Sequence, residues 1–147
     1  SEHAKTIIYS NFTGIVEVIE GIANEFEKRT IGFIIGISSV AGERGRQSNY
    51  FYGSSKAAFT SYLSGLRNRL FKKNIHVRTV IPGYVNTKMT EGMDLPKWLT
   101  VSPEFVANSI YKNHQKGKDL IYIPKIWFLI MLIIRCIPEK VFKRMSL

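Results

Sequence analysis

Apolar residues recur along this chain with two different periods, and the switches between them divide it into elements. Ile8, Phe12, Ile15, Val16, Ile19, Ile22, Ala23 and Phe26 fall at spacings of three and four, which predicts one long amphipathic helix around residues 7–28. A short apolar run over 33–38 then predicts a buried strand. Helical spacing returns through Ala57, Ala58, Tyr62, Leu63, Leu66 and Leu70, so a second helix is expected over 49–72. The stretch 75–81 alternates and stops at Pro82-Gly83, predicting a second strand. Ser102-Pro103-Glu104 reads as a capped helix start and Gly117 as its end, giving a helix over 103–115. A third strand is expected over 120–123. Strand, helix, strand at these separations implies a right-handed crossover and parallel pairing.

Residues 86–100 read as an irregular loop of mixed polarity, either a plain surface connection or a lid over a substrate. The end of the chain differs in character. Nine consecutive apolar residues, 126–134, precede Arg135 and a segment in which Ile137, Val141, Phe142 and Met145 interleave with Lys140, Lys143 and Arg144. Nine helical residues reach only about 14 Å against roughly 30 Å of hydrocarbon, so the run is too short to span a bilayer. Two readings stay open: a basic amphipathic tail lying in a membrane interface, or a terminal helix packed on the domain or over a substrate pocket. The organisation expected is a domain over 1–124 followed by an apolar, then basic, tail over 125–147.

Composition narrows the function classes. The formal net charge is +10, and the segment from 112 to 147 carries eight Lys/Arg against Asp119 and Glu139, which is +6 of it. No recognised nucleic-acid module accompanies that charge, so nucleic acid is not an expected partner. A single cysteine, Cys136, excludes an intrachain disulfide and fits a reducing, cytoplasmic location, with the inner face of a membrane as the variant that the tail suggests. Its apolar neighbours predict a buried thiol. His3, His76 and His114 lie apart without companion ligands, and no metal is expected.

The candidate chemistry lies in Ser39, Tyr52 and Lys56. Tyr52 and Lys56 stand four apart at the start of the second predicted helix and so share a face. An ammonium one turn away favours a phenolate, and a serine hydroxyl at the end of a strand can donate to a carbonyl oxygen while the tyrosine exchanges a proton with it. The Tyr-x-x-x-Lys spacing alone is weak evidence: seven tyrosines and thirteen lysines in 147 residues give roughly 0.6 such pairs by chance. Tyr84 and Lys88 form a second pair, but they follow Pro82-Gly83 in an expected loop, and Phe71 stands thirteen residues before Tyr84.

Further residues in register with Tyr52 make the pattern specific. Ser39 precedes it by thirteen; Ser38-Ser39-Val40-Ala41-Gly42, Asn49 to Tyr52 and Ser55 to Ala58 accompany it; and Asn11 lies 28 before Ser39. Together they resemble the carboxyl-terminal, catalytic half of the short-chain dehydrogenase/reductase family. The resemblance implies an α/β fold, a partial Rossmann-like doubly wound parallel sheet of about three strands with flanking helices and an apolar, basic helical tail. It implies a catalytic tetrad of Asn11, Ser39, Tyr52 and Lys56, with the Asn11 main-chain carbonyl holding a water that relays protons to Lys56. It also implies NAD or NADP held by Tyr52, Lys56, Pro82, Gly83, Val85 and Thr87, of which the Pro82 to Thr87 segment would lie against the nicotinamide ring.

The family's Gly-rich fingerprint and ribose-binding acid have no match here. The expectation is therefore an oxidoreductase interconverting carbonyl and alcohol that needs an amino-terminal half, supplied by a longer protein or by a separate chain. The alternative is an inactive remnant that associates with a membrane or with partners, including copies of itself through the long helices. Lys118 to Pro124 followed by the apolar and basic tail also resembles decaprenylphosphoryl 2-keto-ribose reductase-like members, implying a lipid-linked sugar carbonyl as substrate beside the broader class of small carbonyl compounds.

Overall fold

The computed structural model describes residues 1–145. Helix α1 (Glu2–Ile8) runs through a π-helical turn, Tyr9–Thr13, into α2 (Gly14–Arg29). After a left-handed Thr30, β1 (Phe33–Ile37) leads through a 3-10 turn (Val40–Gly42) to α3 (Tyr50–Phe71) and β2 (His76–Pro82). A two-residue strand β3 (Tyr84–Val85), two 3-10 turns (Lys88–Thr90 and Lys97–Leu99) and β4 (Thr100–Val101) precede α4 (Pro103–Gln115). The chain then forms β5 (Leu120–Ile123), α5 (Ile126–Cys136) and α6 (Glu139–Phe142).

The main sheet has the order β1-β2-β5 and both pairings are parallel, with Ile37 opposite Val80 and Ile81 opposite Tyr122. The α/β architecture expected from the pattern is therefore present. Central strand β2 is buried from Val77 to Pro82, as a strand covered on both faces must be. Pro82 lacks an N–H and closes it. Among the described residues β1 pairs on one side only, which leaves its other edge open.

Side chains alternate between two layers. Ile34 and Val77 point toward α2 and α3, where Phe59, Leu63, Leu66 and Leu70 form a stripe spaced three and four apart, and Ala23, Phe26 and Phe12 close on it. Each fully buried leucine in this stripe is worth about 1.5–3 kcal/mol in water excluded from its surface. Ile35, Val80, Ile121 and Ile123 face the other way, toward Val106 and Ile110 of α4. Arg78, buried in β2, donates to the Asn113 and His114 carbonyls at the end of α4, where a cation meets the negative end of the helix dipole.

Several expectations change. The first helix begins at Glu2, and its register widens at Asn11: the Gly14 N–H donates to Tyr9 five residues back. Residues 86–100 are not wholly irregular, because β3 pairs with β4 in parallel and Thr87 and Thr90 cap each other's turn. The tail is two helices, broken where Pro138 cannot continue α5. Cys136 is exposed, since the last turn of α5 carries it away from the face that Trp127 and Met131 bury. No described helix is long and apolar enough to cross a membrane.

Candidate active site

Parallel strands end on one edge of the sheet, and each element carrying a candidate residue starts or stops there. Ser39 follows β1 and caps the 3-10 turn, its Oγ accepting the Ala41 N–H at 3.1 Å. With that lone pair engaged, the hydroxyl proton remains available to another acceptor. Ser38 turns the opposite way and locks β1 to α3, donating to the Lys56 carbonyl at 3.0 Å and meeting the Thr60 hydroxyl at 2.6 Å. Gly42 allows the turn to lie this close: a β-carbon there would sit 2.7 Å from the Ala57 nitrogen.

Tyr52 and Lys56 lie on the first turns of α3, on the side that meets β1. The Lys56 ammonium is buried, donates to the Ile37 carbonyl at 3.1 Å and stands 5.7 Å from the centre of the Tyr52 ring. Burial lowers its pKa below the ordinary lysine value. The Tyr52 phenol is half-buried; desolvation raises its pKa, and the neighbouring Ser39 hydroxyl partly offsets that by hydrogen bonding to the oxygen. The expectation that Lys56 lowers the Tyr52 pKa is not met: desolvation is the larger influence and raises it, and the group that opposes the rise is Ser39.

Asn11 lies in the π turn that packs on α3. Its side-chain amide nitrogen donates to the Ile7 carbonyl at 3.1 Å and to Ser10 Oγ at 3.2 Å, so those donors are spent on its own helix. The Pro82-Gly83 turn adjoins Ser39 across the paired strands: the Ser38 N–H donates to Val80, two residues before Pro82, and the Gly83 N–H donates to Ile123. Val85 is in β3 opposite Val101. Thr87 is exposed and caps the next 3-10 turn. Tyr84 and Lys88 share no helix; Tyr84 meets Trp127 edge-on at 5.1 Å, while Lys88 is exposed.

Two contributors at this edge were not legible in the sequence. Trp127 of α5 lies directly over Gly83 and packs with Val40, Ile81, Leu99 and Met131, and its buried Nε1 has no hydrogen-bond partner among the described residues. Arg44, four residues after Val40, donates to the Ile134 and Arg135 carbonyls at the end of α5, pairs with Glu139 at 2.8 Å and lies 4.1 Å over the Phe142 ring. The only prior signal was the apolar run of α5 itself.

Residues 1–97 match the family model for short chain dehydrogenase. The chain belongs to that family. Among curated relatives, it is 34% identical over 143 residues to an "uncharacterized oxidoreductase" of Mycobacterium tuberculosis, covering 97% of this chain and 57% of the relative. An "uncharacterized oxidoreductase" of Streptomyces coelicolor is 30% identical over 142 residues, covering 97% of this chain and 56% of the relative. The chain thus spans little more than half the length of these relatives. In fold it is similar to a short chain dehydrogenase from Burkholderia cenocepacia crystallised with NADP, at a TM-score of 0.84 and 20% identity over 97% of this chain and 60% of that one. A short-chain dehydrogenase from Sphingobium yanoikuyae in complex with NADPH gives a TM-score of 0.78 at 20% identity, over 95% of this chain and 59% of that one. The three-stranded sheet and its helices are therefore the short-chain dehydrogenase fold in part.

Proposed function

We propose that this chain provides the catalytic half of a nicotinamide-dependent oxidoreductase that interconverts a carbonyl and an alcohol. The observation that carries the reading is the approach of the Ser39 hydroxyl to the Tyr52 phenol at the carboxyl edge of the sheet, with the Lys56 ammonium buried beside them. In the direction of reduction, Ser39 donates a hydrogen bond to the substrate oxygen and polarises the carbonyl. Tyr52, protonated at neutral pH as any phenol of ordinary pKa about 10 is, transfers its proton to that oxygen. Lys56 stabilises the phenolate left behind, and its ammonium, with one proton engaged by Ile37, has further N–H donors for a neighbouring hydroxyl or water. Asn11 acts through its main chain: in the wide turn its carbonyl holds the water that returns a proton toward Lys56.

The residues present fit the nicotinamide end of a dinucleotide. Lys56, with one donor on the Ile37 carbonyl, retains others, and Pro82, Gly83, Val85 and Thr87 follow the edge of the sheet, the β-carbon side of Gly83 being filled by Trp127. NAD or NADP, when bound, supplies the hydride. The pyrophosphate and adenosine are left to a segment outside these 147 residues, since none of them forms a Gly-rich turn at a helix start. That segment would add strands at the free edge of β1, from the same polypeptide or from a separate one. The substrate class is a small carbonyl compound, with lipid-linked sugar carbonyls as the narrower choice.

The test is substitution in an enzyme completed with that segment. Ser39→Ala and Tyr52→Phe should each lower kcat by about 10²–10⁴-fold, the range for a positioned acid or base, with cofactor affinity kept for Ser39→Ala. Unchanged turnover in Tyr52→Phe would refute the assignment.

A further inference from the structure

The outer face of α5 is apolar where a surface helix is ordinarily polar. Trp127 and Met131 fill the core side, yet Phe128, Leu129, Leu132 and Ile133 project outward, with Phe128 54% and Ile133 65% exposed. A helix that is hydrophobic all round is one whose second face is also covered. Cations frame this face. Lys125 opens the helix and Arg135 closes it, and beside the face is a groove of about 460 Å³ between α5 and the outer edge of β5, lined by Lys118, Lys125 and Arg135 over Leu120, Tyr122 and Phe128. Among the described residues no carboxylate lines the groove itself; Glu43 adjoins it, accepting from the Tyr122 hydroxyl at 2.5 Å, Asp119 lies between Lys118 and Leu120 in the chain, and Glu139 is paired with Arg44.

We propose that this face and groove dock the protein onto a bilayer carrying anionic phospholipid, with α5 lying in the interface. The exposed aliphatic and aromatic side chains enter the acyl boundary, while Lys118, Lys125 and Arg135 meet phosphate groups at its rim. Two other occupants fit less well. Strands added at the free edge of β1 extend the sheet away from β5 and α5, because β2 lies between them. A second copy seated face to face by a twofold would bring the Lys125 and Arg135 pairs together as like charges, with no acid among the described lining residues to separate them and the adjoining Glu43 held by Tyr122. The inference does not rest on the catalytic reading, since α5 could dock with or without turnover.

Co-sedimentation of the full 147-residue chain with vesicles tests it, comparing phosphatidylcholine alone with phosphatidylcholine containing three tenths phosphatidylglycerol. The partition coefficient should be about tenfold higher with phosphatidylglycerol, and most of that gain should disappear at 0.5 M salt. Leu132→Asp, or Leu129→Asp as an independent variant, should reduce partitioning about tenfold; Lys125→Gln with Arg135→Gln should remove the lipid preference. Ile31→Asp, an exposed apolar position beside β1, should leave binding unchanged. Absence of binding to either vesicle, or binding lost equally in Ile31→Asp, would overturn the proposal. So would a dimer in sedimentation velocity that Leu132→Asp dissolves while the wild-type chain ignores vesicles.

Discussion

Gly83 and Trp127 meet more closely than any side chain at position 83 would allow: a β-carbon on Gly83 would lie 1.8 Å from the indole Nε1. Residues 44 apart in the chain thereby join the turn after β2 to the helix after β5. Gly83→Ala should push Trp127 out of the cluster it shares with Val40, Ile81 and Met131. The expected cost is about 1–3 kcal/mol from overpacking. In a Trp98→Phe background, which removes the exposed indole, the emission of Trp127 should shift to the red; an unshifted spectrum would contradict the contact.

Arg44 should govern the order of the tail. Its guanidinium caps the carbonyl end of α5 and stacks on Phe142, and both contacts act in a partly buried setting. The pair with Glu139 contributes little by itself, because that carboxylate is largely exposed. Arg44→Ala should cost about 1–2 kcal/mol and speed amide exchange across α5 and α6, whereas Glu139→Gln should do neither. Equal exchange in Arg44→Ala and the parent would remove the cap from the account.

Tyr62 makes the stability fall on the alkaline side. Burial and its hydrogen bond to Glu20, at 2.9 Å, push the phenol up to about 12 from an ordinary value of 10.0. Between those two values the folded chain holds a proton that the unfolded chain has released, so this contribution is intact below pH 10 and is lost as the pH rises through about 12. Tyr62→Phe should flatten that part of the stability profile, measured by urea unfolding at pH 9, 10 and 11. A profile as steep as the parent's would assign the loss elsewhere.

Leu63 carries the packing between β1 and α3. It is fully buried, and its side chain fills the space over Gly36, where a β-carbon would come within 2.2 Å of Leu63 Cδ1. Leu63→Ala should cost about 2–5 kcal/mol by chemical denaturation. A loss below 1 kcal/mol would mean that the site collapses around the smaller side chain.

What the sequence revealed follows from what periodicity encodes. The spacing of Phe59, Leu63, Leu66 and Leu70 reports a face and the run into Pro82-Gly83 reports a strand and its end, although β2 proved buried on both faces; the three strands of the main sheet, α3 and α4 were therefore legible nearly to the residue. The Ser39, Tyr52 and Lys56 offsets were legible because one edge of a parallel sheet collects the ends of its strands. Periodicity does not report which distant surface a face meets. Trp127 over Gly83, Arg44 on the end of α5 and the exposure of Cys136 were therefore hidden. The wide turn at Asn11 was hidden for another reason: one extra residue in a turn shifts the apolar stripe too little to break its pattern. The direction of the Tyr52 pKa depended on burial, which no spacing measures.

Turnover with and without the rest of the fold tests the catalytic assignment. The 147-residue chain should bind NADH and NADPH too weakly for useful reduction of a carbonyl substrate, because holding a hydride donor in line is worth several kcal/mol of the barrier and the pyrophosphate here has no Gly-rich turn to hold it. Adding the portion of the Mycobacterium tuberculosis relative that this chain does not span should produce nicotinamide-dependent reduction across a panel of carbonyl compounds, abolished by Tyr52→Phe. Full turnover by the chain alone, or activity in the completed enzyme that survives Tyr52→Phe, would contradict the account.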